Sequence, residues 1–204
     1  TLMHYIGRTE DPTVRKAANY IRMRQDASGG WSGYPGGPPD VSASVKNYFV
    51  LKLVGDDPEA EHMLRAAEVI RRHGGIEACN SFTKAYLAIF HQYPWDRCPA
   101  VPPEIILLPT WFYFNVYEMS SWSRAIIVPL SIVSALKPKC AVPSSASIDE
   151  LFVPGFVPRG RTFWHTVFDG VDRCLKIFEK LPYKPTRELA LKRAEAGSLE
   201  RLGF

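Results

Sequence analysis

The order of apolar and polar residues predicts helices along most of the chain. Apolar residues recur at intervals of three and four, and no stretch alternates convincingly between apolar and polar residues, which favours helices over strands. A proline directly after an aspartate, at Pro12 and Pro58, is typical of a first helical turn, and Gly55 and Gly74 are typical of helix ends. The predicted helices cover about residues 12–24, 41–54, 58–73, 76–92, 121–136 and 163–180.

These helices are of two kinds. Those over 76–92 and 121–136 are apolar or small on nearly every side, whereas those over 58–73 and 163–180 each carry one polar face. The first kind is expected to lie inside the fold and the second outside. Because short turns join successive helices, the pattern predicts an all-α fold of stacked αα-hairpins, curved into a solenoid or closed into an αα-barrel.

Two proline-rich stretches interrupt the helices. Residues 93–113 contain five prolines, so long helices are not expected there. Residues 137–161 contain four and are predicted to form a long surface connection. We therefore expect an αα-barrel core over 1–138, a proline-rich connection over 139–161, and amphipathic helices over 162–204 that complete part of the same barrel.

The composition fits an ordinary globular protein. Of the 204 residues, 46% are hydrophobic and 23% are charged, which excludes a disordered chain. The longest apolar stretch, 125–136, contains a proline and two serines and is shorter than the ~20 residues that cross a bilayer. The formal net charge of +4 is spread along the chain, so no nucleic-acid partner is expected.

Cysteine and histidine give no sign of a metal site. The four cysteines lie far apart without a CxxC pair, and the five histidines share no spacing, so neither zinc nor a disulfide framework is favoured. No cofactor is predicted. The residues concerned are Cys79, Cys98, Cys140 and Cys174, and His4, His62, His73, His91 and His165.

A motif near the start of the chain carries a family resemblance. A basic residue and an alanine precede an aromatic–aliphatic pair, a glutamine, a glycine and a tryptophan. These residues are Lys16, Ala17, Tyr20, Ile21, Gln25, Gly29 and Trp31. The strings YPGGPPD, GGIE, QYPW, VPPEI and NVYEMSSWSR follow in that order. Together they resemble the amino-terminal half of bacterial squalene–hopene cyclases, in which the first pattern is the QW motif. The resemblance covers at least residues 12–138 and, more loosely, 163–181.

The resemblance implies an enzyme of two αα-barrel domains around a large apolar cavity, in which squalene is folded and protonated to give hopene or hopanol. The family's acid is an aspartate of a DxDD motif in the other domain. This chain has no DxDD motif, and Asp169 and Asp172 share only a spacing of three. Because the chain also begins at Thr1, we expect a fragment that lacks the second barrel domain and is inactive alone.

Cyclisation of a polyene without a cofactor needs a strong acid, a dry cavity and electron-rich ring faces that stabilise cations. A cation over a desolvated aromatic face gains about 2 kcal/mol or more. By resemblance, Trp122 lines the cavity that receives squalene or a similar hydrocarbon. Phe82 and Tyr86, about one helical turn apart, are further candidates. Core packing is the alternative for all three residues.

The resemblance also implies a stabilising role for two motif residues and a position at a membrane surface for one helix. Gln25 and Trp31 are expected to tie helices together, because a glutamine amide satisfies open backbone groups while it rests on an indole. The family is monotopic, and the amphipathic helix over 163–180 resembles the part near its substrate entrance, which implies a peripheral protein on the cytoplasmic side of a bacterial membrane. Packing against neighbouring helices is the alternative. The candidate membrane-contact residues are Trp164, Phe168 and Val171.

Two other functions fit the same pattern. One is a stand-alone αα-barrel module that binds an apolar lipid or a partner chain without catalysis, which long apolar helices would suit. The other is a different αα-barrel enzyme, either a protein prenyltransferase subunit with a zinc set of Asp, Cys and His, or a glycosidase with Glu104 and Glu118 as its carboxylate pair. Spacing alone does not support the glutamate pair, and solvated or capping roles are the alternative.

Overall fold

Helices account for the regular structure of the chain. The computed structural model describes residues 1–112, 115–156, 163–181 and 184–202, without the side chains of 163–166, 168, 201 and 202. These described residues contain no strand, and the predicted all-α fold is confirmed. The helices are α1 (Leu2–Tyr5), α2 (Pro12–Met23), α3 (Val41–Val54), α4 (Glu61–Arg72), α5 (Ser81–Ile89), α6 (Ser121–Leu136), α7 (Phe163–Lys180) and α8 (Arg187–Leu202).

Capping residues set the bounds of α2 and α3. The Asp11 carboxylate accepts a hydrogen bond from the Thr13 amide at 2.9 Å, and the Asp40 carboxylate accepts one from the Ala43 amide at 2.6 Å. At the end of α3, Gly55 has a φ of 104°, a left-handed conformation that glycine adopts without strain. Both helices therefore begin and end close to the predicted positions.

Two predicted helices differ from the observed ones. The predicted start at Pro58 is too early, because α4 begins at Glu61. The predicted helix over 76–92 is divided, since a short 3-10 turn precedes Asn80 and α5 follows it. The Asn80 side chain caps α5 by accepting a hydrogen bond from the Thr83 amide at 2.9 Å. A residue that caps one helix ends the preceding one, and the apolar pattern alone does not reveal it.

The chain divides into two compact units. Unit 1 comprises Thr1–Pro94 and Lys139–Gly160, and unit 2 comprises Trp95–Pro138 and Arg161–Phe204. Each unit combines two separate stretches of chain, whereas the predicted segments follow one another along the sequence. Unit 1 contains the QW motif, and unit 2 contains the three helices α6 to α8.

The core of unit 1 lies where α3 packs against α2 and α4. The stretch after residue 138 contributes to this core, because Ala146, Ile148 and Leu151 are buried. The predicted surface position therefore fails at these three residues, whereas the other described residues of the stretch are exposed or partly exposed. Its prolines stop helices, but they do not keep its apolar side chains in water. Other large buried side chains of unit 1 are Tyr48, Phe49, Leu51, Met63, Ile70, Ile76 and Leu87.

Unit 2 is built around α6 and α8. Its centre consists of the buried residues Val116, Val128 and Ala194, with Ile105, Ile106 and Ile132 packed beside them. The proline-rich stretch before α6 forms only short 3-10 turns in its described part. Within the described parts of the chain, no helix has the length and apolar character needed to cross a membrane.

Candidate functional site

The glutamine of the QW motif joins two helices of unit 1. Gln25 follows the end of α2, and its side-chain amide donates hydrogen bonds to the carbonyl oxygens of Gly29 and His62, each 2.8 Å away. His62 belongs to the first turn of α4. One side chain therefore links the end of α2 to the beginning of α4, through two bonds that each contribute about 1 kcal/mol.

The tryptophan of the motif joins α2 to α3. Trp31 is buried, and its Nε1 donates a hydrogen bond to the Ile21 carbonyl on α2 at 2.8 Å. Its backbone amide donates to the Ser44 hydroxyl on α3 at 3.0 Å. We call Gln25, Trp31 and their partners the QW clasp. The clasp holds α2 to both of the helices that follow it.

The remaining motif residues differ in their surroundings. Lys16, Ala17 and Tyr20 are exposed on α2. Gly29 has a φ of +97°, and a Cβ atom at this position would lie 2.9 Å from the backbone of Arg65. Because L-residues rarely adopt this conformation and the space is occupied, the loop between the two clasp residues needs glycine here.

A further link around Asp56 lies beside the clasp, and the sequence patterns do not reveal it. Asp56 accepts a hydrogen bond from Arg22 Nε on α2 at 2.9 Å, and His62 Nε2 lies 2.8 Å from the same carboxylate. Burial raises the pKa of Asp56, but the hydrogen bonds from Arg22 and His62 outweigh burial and hold this pKa below its usual value. The carboxylate is therefore ionised at neutral pH.

The three candidate cavity residues have different surroundings. Trp122, the second residue of α6 in unit 2, is 77% exposed. In unit 1, Phe82 of α5 is 52% exposed. Tyr86 of α5 instead packs against Phe49 and Phe90, with ring centres 6.4 and 5.5 Å away, and burial raises the pKa of its hydroxyl. Tyr86 is thus a packed residue in this chain, whereas Trp122 and Phe82 present their rings to solvent.

Comparison with known proteins decides the family. Residues 1–203 match the N-terminal domain of squalene–hopene cyclases. The chain belongs to the squalene–hopene cyclase family. It is 39% identical to a probable squalene–hopene cyclase of Sinorhizobium fredii and 38% identical to the squalene–hopene cyclase of Alicyclobacillus acidocaldarius, over 98% of this chain in both cases. It is also 31% identical to a dammaradiene synthase of Dryopteris crassirhizoma, over 98% of this chain.

The match confirms the family resemblance that the QW motif and the strings after it predict. It covers 32% of each of the two squalene–hopene cyclases and 30% of the dammaradiene synthase. The chain therefore spans about a third of the length of the relatives it matches.

In this cyclase domain, α7 carries the predicted membrane-contact residues. Val171 is half exposed, and Ile177 and Leu181 on or next to the same helix are exposed as well. At 100° per residue, these three positions lie within about a third of the helix circumference. The side chains of Trp164 and Phe168 lie outside the described residues. The described part of α7 thus leaves an apolar stripe uncovered.

Of the acidic residues considered for chemistry in the cyclase domain, two pair with basic side chains and one is exposed. Glu104 Oε1 accepts a hydrogen bond from Arg187 Nε at 2.6 Å, and Glu118 is exposed. Asp172 forms an ion pair with Lys176 at 2.7 Å. Among the residues that the structure describes, no group of three or more His, Cys, Asp or Glu side chains is arranged to hold a metal ion.

Proposed function

We propose that this chain forms part of the wall of the cavity in which a squalene–hopene cyclase folds and protonates squalene to give hopene or hopanol. The proton donor belongs to the remainder of the cyclase, which also supplies the second barrel domain. Under this proposal the chain binds and shapes a hydrocarbon, and it has no cyclase activity of its own.

The observation that carries the proposal is the exposure of Trp122 at its place in the string NVYEMSSWSR, which resembles the family. A tryptophan is seldom this exposed, because its large apolar surface favours burial. An indole that faces outward at the start of α6 becomes part of an internal surface when the remainder of a cyclase encloses it. Its ring face then stabilises a carbocation by about 2 kcal/mol once water is excluded.

Three partly buried carboxylates of this chain are unsuited to act as the proton donor, which supports a role in the cavity wall. The pKa values of Asp56, Glu150 and Glu179 lie below the usual range, because hydrogen bonds from basic partners outweigh the effect of burial. Such carboxylates are ionised at neutral pH and hold no proton to give to a double bond. The sequence also lacks the DxDD motif.

The first test uses the 204-residue chain alone. The purified protein is incubated with squalene in detergent micelles, and the extract is analysed by gas chromatography and mass spectrometry. We expect no more hopene or hopanol than in a heat-inactivated control. Product above that control would contradict the proposal, because the acid would then lie within these residues.

The second test uses the complete cyclase that contains this segment. Trp122→Leu keeps a large apolar side chain and removes the ring, so kcat for squalene is expected to fall about tenfold or more with little change in Tm. Trp111→Leu is the matched control, since Trp111 is 83% exposed in the same unit and lies outside the strings that resemble the family. Equal rates for the Trp122→Leu and Trp111→Leu variants would contradict the assignment.

We propose further that the cyclase takes squalene from the cytoplasmic side of a bacterial membrane, with the apolar stripe of α7 in the bilayer surface. The test is co-flotation of the protein with phosphatidylcholine vesicles. A double variant, Ile177→Glu and Leu181→Glu, is expected to stay with the soluble fraction, because charged groups are expelled from the apolar layer. Leu189→Glu is the control, since Leu189 is an exposed leucine of α8. Equal flotation of all three proteins would contradict this contact.

A further inference from the structure

Unit 2 contains a cleft lined by two arginines that form no ion pair with a described carboxylate. The cleft has a volume of about 310 Å³ and is lined by residues of α6, of α8 and of the turns before α6. Its apolar lining includes Ile106, Val116 and Val128. Arg124 of α6 and Arg193 of α8 also line it. The ion pairs of α8 among the described residues involve Arg187 and Lys192, and neither Arg124 nor Arg193 takes part in one.

The Nε atom of Arg124 is buried and has no hydrogen-bond partner among the described residues. A buried donor without a partner costs about 1–3 kcal/mol, and a charged donor costs more. Buried polar groups in folded proteins are almost always paired for this reason. The geometry therefore calls for an acceptor from outside the described residues.

The position of Arg124 in its helix adds to the positive charge of the cleft. The helix α6 begins at Ser121 and has no acidic residue in its first turn, and a helix N-terminus carries a partial positive charge. The lining holds one carboxylate, Glu200, against two arginines. A positive field over an apolar floor attracts an anion, and the attraction strengthens when water leaves the cleft.

We propose that this cleft binds the side-chain carboxylate of an aspartate or glutamate from the part of the complete cyclase outside this chain, and that Arg124 and Arg193 hold it. The inference rests on one element of the proposed function, namely that the chain acts within a longer cyclase. The matched relatives are about three times as long, so the complete protein has ample chain to cover the cleft. Arginine suits this role because its planar guanidinium pairs with a carboxylate through two parallel hydrogen bonds.

The test compares one substitution in two contexts. Arg124→Met keeps the side-chain length and removes the charge and the N–H donors. In the 204-residue chain it removes a buried donor that has no partner among the described residues, so Tm is expected to stay or rise. In the complete cyclase it leaves a buried carboxylate without its partner, so Tm is expected to fall by about 2 °C or more.

The matched control is Lys192→Met. Lys192 lies next to Arg193 on α8, but its ammonium group pairs with Glu188 on an exposed part of the surface. Such pairs contribute little, so this variant is expected to leave Tm unchanged in both contexts. Arg193→Met is expected to follow Arg124→Met in the complete cyclase.

A second measurement stays within the complete cyclase and does not require the isolated chain to fold. The difference in Tm between wild type and Arg124→Met is followed from about pH 7.5 down to about pH 3. An arginine lowers the pKa of its carboxylate partner, so the stabilisation is present above the unfolded pKa and is lost as pH falls through the folded pKa. The difference is expected to be largest near neutral pH and to shrink below about pH 5.

Three results would overturn the proposal. The same change in Tm in both contexts would mean that Arg124 acts only within this chain. A difference that does not vary with pH would mean that the partner is not a carboxylate. The third result concerns free anions. If acetate or inorganic phosphate raises the Tm of the 204-residue chain but not that of its Arg124→Met variant, and the substitution leaves the Tm of the complete cyclase unchanged, the cleft binds a free anion. These tests measure Tm and not hopene formation. A failure of the cavity proposal can therefore be distinguished from a failure of the cleft proposal.

Discussion

The Arg22 guanidinium on α2 holds both carboxylate oxygens of Asp56, which follows the end of α3. Arg22 Nε lies 2.9 Å from Oδ2, and the Arg22 Nη2 group donates to Oδ1. The pair adjoins the QW clasp through His62, whose carbonyl accepts from Gln25 and whose ring lies against Asp56. Two polar links of different chemistry therefore hold the same three helices.

The Asp56 link predicts a dependence of stability on pH. The folded pKa of Asp56 is lowered, so its contribution is present above the unfolded pKa of about 3.9 and is lost as pH falls through the folded pKa. Asp56→Asn is expected to reduce the free energy of unfolding by about 2 kcal/mol at neutral pH, with the difference shrinking below about pH 4. Urea denaturation of both proteins at neutral and acid pH measures this.

Asp57→Asn is the matched control for Asp56→Asn. Asp57 is exposed, and its side chain accepts only a local hydrogen bond from the Glu59 amide, which an asparagine can also accept. This variant is expected to change stability by less than about 0.5 kcal/mol. If the two substitutions have the same effect at neutral pH, the pair between Arg22 and Asp56 does not stabilise the fold.

The QW clasp predicts that the Gln25 amide must be a donor. Gln25→Glu replaces the donating group by a carboxylate that faces the carbonyl oxygens of Gly29 and His62, so repulsion is added to the loss of two bonds. We expect the free energy of unfolding, measured by chemical denaturation, to fall by about 3 kcal/mol in Gln25→Glu and by about 2 kcal/mol in Gln25→Ala. Arg24→Ala, at the adjacent exposed position, serves as the reference. A Glu variant as stable as the Ala variant would exclude the proposed repulsion.

Local signals in the sequence predict much of the fold. The helix predicted over 121–136 has the observed bounds of α6, and the one over 41–54 has those of α3, because caps and apolar spacing act within a few residues. Asn80 and the buried stretch around Ile148 are different. The cap that Asn80 forms is local, since it accepts from the Thr83 amide, but it lies inside a continuous apolar pattern that hides it. The burial of the stretch around Ile148 depends on tertiary contacts, which no pattern of neighbouring residues encodes.

The candidate site shows the same division between local and distant information. The motif identifies Gln25 and Trp31, since their partners Gly29 and Ile21 lie within ten residues. The second acceptor of Gln25, His62, lies 37 positions away, and the apolar pattern gives no indication of it. The exposure of Trp122 likewise follows from the packing of α6 and not from the sequence around it.

Gly29 is expected to be the least replaceable glycine of the loop between Gln25 and Trp31. In Gly29→Ala, the added Cβ meets the backbone of Arg65 at 2.9 Å and takes a positive φ, so steric overlap adds to backbone strain. We expect chemical denaturation to show a free energy of unfolding lower by about 3 kcal/mol. Backbone strain accounts for about 1 kcal/mol of this, and the cost of moving α4 accounts for the rest. Gly36→Ala is the control, because Gly36 also has a positive φ but has nothing within 4 Å of the added atom. Equal losses would show that strain alone accounts for Gly29.

A partly buried ion pair ties the stretch after residue 138 to α3. Lys52 Nζ lies 2.8 Å from Glu150 Oε1 and donates to the Ser147 carbonyl. The Tyr48 hydroxyl donates to the same Glu150 oxygen at 2.8 Å. Burial raises the pKa of Glu150, but the hydrogen bonds from Lys52 and Tyr48 outweigh it, so this pKa lies below the usual value and the carboxylate is ionised at neutral pH.

Lys52→Met is therefore expected to destabilise unit 1 strongly. It leaves the Glu150 carboxylate, which is 32% exposed, without its cation, and this costs about 2 kcal/mol, less than for a fully buried pair. Lys46→Met, an exposed lysine of the same helix, is expected to change stability by less than about 0.5 kcal/mol. Hydrogen exchange adds a local readout: amides of Ser147 and Leu151 lose protection in Lys52→Met if the pair fastens this stretch. Uniform loss of protection across α3 instead would mean that Lys52 supports the helix itself.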